Sequence, residues 1–218
     1  MYINRANYKM LAIIFMVIDH AGVLLFNNNL LMRLIGRLAF PMFVYLLYDG
    51  YKNSRDLAAY GRRMVGFWAV SILPYSLAFY NCLVSIYQNT FLSLYLYLAV
   101  FCVLEDRALN IRWKYAFALV CTVLAERLHM EYGWYGVALA VVIYEYDDNL
   151  QAANQFMWIT CLECLWNMNP RQCTAPLAIA LTPARFTKSK RPPTAFKIFN
   201  YAFYPLHLLI LWALSVLY

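Results

Sequence analysis

The chain has 218 residues, of which 64% are hydrophobic and 13% charged, against about 45–50% apolar and about 25% charged in an ordinary soluble domain. Mean hydropathy is +0.53 and the apolar residues fall in long blocks, which argues against a soluble enzyme and for an all-α, polytopic membrane protein. Net charge is +7. In such a protein the placement of Lys and Arg carries more information than their sum, and no stretch remains for the basic folded surface that nucleic-acid binding needs.

At about 20 residues per span, the length allows at most about nine spanning helices, so residues 1–218 are expected to form a single integral membrane domain. The first apolar run, about 9–26, starts basic like a signal peptide. It continues through Asp19-His20 and lacks a small-x-small cleavage site, so it is predicted to stay as the first helix. Further runs lie near 34–49, 63–80, 90–104, 113–126, 132–146, 153–168, 172–183 and 198–217. The run 172–183 is short and closed by Pro183, so eight spans with one re-entrant segment compete with nine. Alternating sides from the N-terminus, one side carries fourteen Lys and Arg, among them Arg5, Lys9, Arg62, Arg63 and Lys197. The other side and its membrane edge hold four: Arg33, Arg37, Arg127 and Arg171. That bias predicts a cytoplasmic N-terminus and a C-terminus outside a lipid bilayer.

No dinucleotide fingerprint, P-loop, G-x-S-x-G or H-E-x-x-H motif occurs, and the cysteine spacing suggests neither a metal site nor a disulfide framework. Cys161 and Cys164 fall mid-helix and are expected to pack. Cys82 and Cys173 share the expected outer side, where a disulfide needs a proximity that sequence does not give.

Ionisable residues inside apolar runs are costly and are functional candidates by default. Asp19 and His20 lie about 16 Å from the inner end of the first helix and His207 about 14 Å along the last; Glu163 reaches a similar depth. Equal depth predicts that the first and last helices share a site. The second run opens with Arg33 and Arg37 at i and i+4, on one face near the outer leaflet. A guanidinium keeps its proton, so each needs an acid, a carbonyl, an anion or a route to the headgroups; Arg37 is expected to reach toward Asp19. Lys197, Asn200, Tyr204 and His207 form one stripe of the last helix, which Pro205 notches by removing a backbone hydrogen bond. The stripe leads from the basic side to the midplane, as a path for a cytosolic ligand would. A buried Asp-His pair such as Asp19-His20 suits a general base. His129 is expected in a solvated outer loop.

Several of these positions resemble the TraX family of bacterial integral-membrane acetyltransferases. The resemblance lies in Ile18-Asp19-His20-Ala21-Gly22, in Arg33-Leu34-Ile35-Gly36-Arg37-Leu38-Ala39-Phe40-Pro41-Met42-Phe43 and in Phe203-Tyr204-Pro205-Leu206-His207-Leu208, with weaker matches at Gln88-Asn89-Thr90-Phe91 and Tyr132-Gly133-Trp134-Tyr135-Gly136. Where many relatives have a stretch like S-E-I-P-F-D-L, this chain has Ser71-Ile72-Leu73-Pro74-Tyr75-Ser76-Leu77, without either acid. The resemblance implies transfer of acetyl from cytosolic acetyl-CoA to the N-terminus of the conjugative pilin of F-like plasmids, in the bacterial inner membrane. On that reading His20 with Asp19 deprotonates the amine, or His207 does. Arg37 or Tyr204 stabilises the oxyanion, and Arg33, Arg62, Arg63, Lys197 and Asn200 are expected to hold coenzyme A. An acetyl-His intermediate is a variant. Two other classes fit the same residues: a small proton-coupled transporter or channel, and a non-catalytic membrane protein of pilin assembly whose polar groups join helices.

Overall fold

The computed structural model describes residues 3–146, 148–183, 186–187 and 194–217; for residue 149 and residues 194–201 it describes the backbone alone. The described residues are helical, with no strand and two isolated bridges.

Helix starts follow from short polar side chains. Asn4, Asn29, Asp56, Asn89, Asn110 and Asp148 each accept a backbone N–H of the following first turn, which satisfies donors that a helix start leaves open. They open α1 (Arg5–Leu24), α2 (Leu30–Gly36), α4 (Leu57–Tyr80), α5 (Thr90–Glu105), α6 (Ile111–Arg127) and α8 (Asn149–Trp166). Because the caps precede the apolar runs by a turn, α1, α4 and α8 begin four to six residues earlier than hydropathy predicts. The remaining helices are α3 (Ala39–Asn53), α7 (Gly133–Glu145), α9 (Ala175–Ala180) and α10 (Thr194–Leu217).

Two runs differ from expectation. The stretch 34–49 is two helices, α2 and α3, with a break at Arg37-Leu38. Pro41 has no N–H to give the carbonyl four residues back, that of Arg37, and so sits in a first turn where none is required. The run 172–183 is a single turn at Pro170–Gln172 followed by α9; six residues make about 9 Å, too short to cross about 30 Å of hydrocarbon.

One end of the bundle holds the ion pairs Arg5–Asp49 (3.1 Å) and Lys52–Glu105 (3.0 Å), the Tyr115–Glu145 hydrogen bond (2.7 Å) and the Asn4–Thr187 bridge. The opposite end holds the Gln88–Met130 bridge. The main core joins α3, α5, α7 and α8 through Val44, Tyr97, Phe101, Tyr135, Leu139 and Phe156, all at most 1% exposed. A second cluster, Met16, Ala39, Tyr75, Tyr204 and Leu208, ties α1 to α3, α4 and α10.

Two helical stretches, Arg5–Leu24 and the broken pair Leu30–Asn53, are long and apolar enough to cross a membrane; Thr90–Glu105, Gly133–Glu145 and Ala202–Leu217 are apolar but shorter. Outward faces are nonetheless apolar: Leu119, Val120 and Val123 on α6, Trp158, Leu162 and Leu165 on α8, and Leu206 and Ile210 on α10 are all exposed. The six cysteines are free thiols, Cys82 and Cys173 among them, and Cys161 is exposed rather than packed inside.

Candidate active site

Between α1, α3, α4, α5 and α10 lies a cavity of about 580 Å³. Its lining includes Arg5, Lys9 and Arg63 toward one end of the bundle. Fifteen residues further along α1, about 22 Å at 1.5 Å per residue, the lining includes Asp19 and His20. Apolar side chains of Ile13, Met16, Phe43, Met64, Phe67 and Leu94 separate the two. The cavity is thus a long apolar channel, cationic at one end and polar at depth.

At depth the first and last helices meet. Nδ1 of His20 lies 2.8 Å from Nε2 of His207, with the rings nearly parallel, and Nδ1 of His207 lies 2.9 Å from the carbonyl oxygen of Phe203. A carbonyl only accepts, so His207 carries a proton on Nδ1 and, when neutral, offers Nε2 as acceptor. His20 then donates from Nδ1. Its Nε2 is left as a lone-pair nitrogen with no partner among the described residues, on a ring that lines the cavity. The α10 backbone thereby dictates the tautomer of a histidine on α1.

Asp19 turns to a different set of groups. Adjacent residues on a helix point about 100° apart, so Asp19 and His20 cannot share a partner, and the expected Asp19–His20 contact is replaced by ion pairs. Arg33 Nη1 donates to Asp19 at 2.6 Å and Arg37 Nε lies 3.9 Å from it. Side-chain exposure is 11% for Arg33, 10% for Arg37 and 9% for Asp19, so Arg33 is held inside rather than extended to headgroups. Gly36 makes this possible: a Cβ there would collide with Asp19, so only glycine lets α2 lie close enough to α1 for both guanidiniums to reach one carboxylate. Arg37 also donates to the Tyr132 hydroxyl at 3.1 Å, and Tyr132 stacks on Phe40 with centroids 3.5 Å apart.

The other expected positions divide. Tyr204 is buried and lines the cavity, its ring 6.5 Å from that of His20 and 5.6 Å from that of His207. Arg63 lines the mouth, its guanidinium over the ring of Tyr60 at 5.6 Å. Arg62 points instead into a separate lateral groove between α4 and α5, beside Leu57, Tyr95 and Leu98. The side chains of Lys197 and Asn200 lie outside the described residues, as does most of the basic segment 184–193. Glu163 bonds Asn167 and His129 sits exposed in its loop, both away from the cavity.

Three cavity residues carry no signal as single positions: Thr90, Glu131 and Tyr132. Glu131 and Tyr132 belong to a short polar link between helices, where a solvated role is the ordinary expectation. Thr90 Oγ1 donates to the Glu131 carboxylate, and Ser93 Oγ donates to the Glu131 carbonyl at 2.9 Å. The link folds inward because Gln88 and Met130 bridge two loops and Tyr132 takes a left-handed φ of 67°.

Fold and cavity define a helical membrane protein with a buried, hydrogen-bonded pair of histidines. The TraX protein family model matches residues 4–215, and the chain belongs to that family. Membership relates it to conjugative pilus biogenesis. The chain is also similar to an uncharacterized protein of Rickettsia prowazekii (strain Madrid E), 41% identical over 64 residues, which cover 27% of this chain and 26% of that protein. No solved structure matches it.

Proposed function

We propose that the chain is an acetyltransferase of the bacterial inner membrane that moves acetyl from cytosolic acetyl-CoA to the N-terminal amine of conjugative pilin. The observation that carries this reading is the hydrogen-bonded His207–His20 pair at depth in an apolar channel with a cationic mouth. We further read the whole of residues 1–218 as one multi-pass domain with its N-terminus in the cytoplasm. The apolar outward faces and the fourteen-to-four distribution of Lys and Arg support that orientation.

Coenzyme A fits the channel in character. Its phosphates suit the end lined by Arg5, Lys9 and Arg63, and its slender neutral arm suits the apolar middle. With the thioester near His20, the amine nitrogen attacks the carbonyl carbon, the C–N bond forms and the C–S bond breaks. Nε2 of His20 takes a proton from the amine and returns one to the departing thiolate. Negative charge on the carbonyl oxygen is met by the Tyr204 hydroxyl, a buried donor on the cavity wall; Arg37, already committed to Tyr132 and Asp19, does not line the cavity. Asp19 has no step of its own on this reading; it neutralises and orients Arg33 and Arg37.

Co-expression with the cognate pilin and intact-mass measurement of the mature subunit tests the proposal. The expected result is a gain of one acetyl group with the wild-type chain and its loss with His20→Ala at equal membrane abundance. An unmodified pilin beside well-folded wild-type protein would overturn the reading in favour of a transporter or a non-catalytic assembly protein. Acetylation surviving His20→Ala would keep the enzyme and remove the base.

A further inference from the structure

The half-buried carboxylate of Glu131 takes no part in the mechanism above, yet it lines the same cavity. It makes no ion pair among the described residues, and its side-chain hydrogen bond comes from Thr90, a neutral donor. Arg37, whose charge is felt at Glu131, has its own hydrogen bond and ion pair with Tyr132 and Asp19. Nor does the link need the carboxylate as an anchor. Its backbone is held by Gln88 N–H to His129 O at 3.0 Å, by Glu131 N–H to Gln88 O at 3.3 Å and by Ser93. A carboxylate half-withdrawn from solvent, with one neutral hydrogen-bond donor and a cavity before it, is an incomplete arrangement until a cation arrives.

Aromatic rings complete the surroundings. Phe91 and Tyr204 line the cavity beside Thr90 and Glu131, edge to face with centroids 5.0 Å apart. A carboxylate next to aromatic walls in a water-poor pocket is the chemistry that selects an ammonium group, through charge-assisted hydrogen bonding and ring quadrupoles. The geometry points to Glu131, Phe91 and Tyr204 as a binding seat for the acceptor's primary ammonium, held there as a cation before His20 removes its proton. This rests on the reading given under Proposed function and names the part of that site which recognises the acceptor. It also divides the labour: Glu131 selects a charged amine, and His20 converts it to the nucleophile; of the two protons the nitrogen sheds, His20 passes the first to water and the second to the departing thiolate.

Binding of two peptides with the cognate pilin's N-terminal sequence to the purified full chain in lipid nanodiscs tests the seat. One peptide carries an N,N-dimethylated terminus, cationic and unable to form an amide; the other carries a hydroxyl in place of the amine. Wild-type protein is expected to prefer the cationic peptide by about ten- to a hundredfold. Glu131→Gln, which can still accept from Thr90, is expected to bind both alike, with the hydroxyl peptide at wild-type affinity as the control for folding. A preference that persists in Glu131→Gln overturns the seat while leaving the acetyltransferase intact, and so does a wild-type chain without preference, whether or not the variant folds. A wild-type chain that binds neither peptide removes pilin as the acceptor, and the seat with it.

Discussion

The two ends of the cavity solve opposite problems with the same residue types. At the mouth, Arg5 lies against Asp49 with nearly half its side chain in solvent, and Arg63 rests on Tyr60. At depth, Arg33 and Arg37 share Asp19 at about a tenth exposure. Water screens the first set, so each charge there contributes little by itself and acts through the summed field. In the second set Asp19 is the anion that both guanidiniums approach, with the Tyr132 hydroxyl as a neutral partner of Arg37, so each charge depends on the others. The mouth should tolerate substitution and the deep end should not.

The largest test of that contrast is Asp19→Asn, which leaves Arg33 and Arg37 without their shared anion. We expect a loss of about 3–5 kcal/mol, read as a lowered unfolding midpoint in detergent. Unchanged stability would mean that the two guanidiniums reach solvent or lipid phosphate after all. Next is Gly36→Leu, which forces α2 away from α1; overpacking of this kind costs about 1–3 kcal/mol and should abolish acetylation while the helical circular-dichroism signal is retained. Activity falling no further than for an exposed control substitution on α2, such as Leu31→Ala, would show that close approach is not required.

A smaller effect is expected for His207. Losing its hydrogen bond to His20 removes about 0.5–1.5 kcal/mol, up to about tenfold in single-turnover rate, whereas losing a base costs about 10²–10⁴-fold. His207→Gln keeps an acceptor for His20 and should recover part of the rate. If His207→Ala is as damaging as His20→Ala, His207 is the base. Smallest is the joint change Lys9→Ala and Arg63→Ala at the mouth. It should raise the KM for acetyl-CoA a few-fold at low salt, with kcat little changed, and the difference should shrink as salt is added. A salt-independent defect would place these two side chains in direct contact with the donor.

Asp19, His20, Arg33, Arg37 and His207 were legible because an ionisable residue inside an apolar run contradicts its surroundings and stands out at once. The helix boundaries were not, because hydropathy is blind to the Asn and Asp caps that open α1, α4 and α8 four to six residues ahead of their apolar runs. Glu131 was not either, since Arg127-Leu128-His129-Met130-Glu131 reads as an ordinary polar link, and its place on the cavity wall follows from the Gln88–Met130 bridge between segments 42 residues apart. The same holds for Arg62 and Arg63. Side by side in sequence, they point to different grooves because a helix turns about 100° per residue.

By itself, then, the sequence determined which residues are too polar for their neighbourhood, that those of the first and last helices lie at matching depth, and that the chain is a run of apolar helices, because hydropathy and spacing are properties of the local chain. Tertiary structure alone decided who meets whom. Whether Asp19 faces a histidine or two arginines, whether His20 receives its tautomer from Phe203 through His207, and whether Glu131 faces water or a cavity all depend on helix rotation and contact. Those are settled by packing between segments as far apart as His20 and His207, to which no local pattern is sensitive.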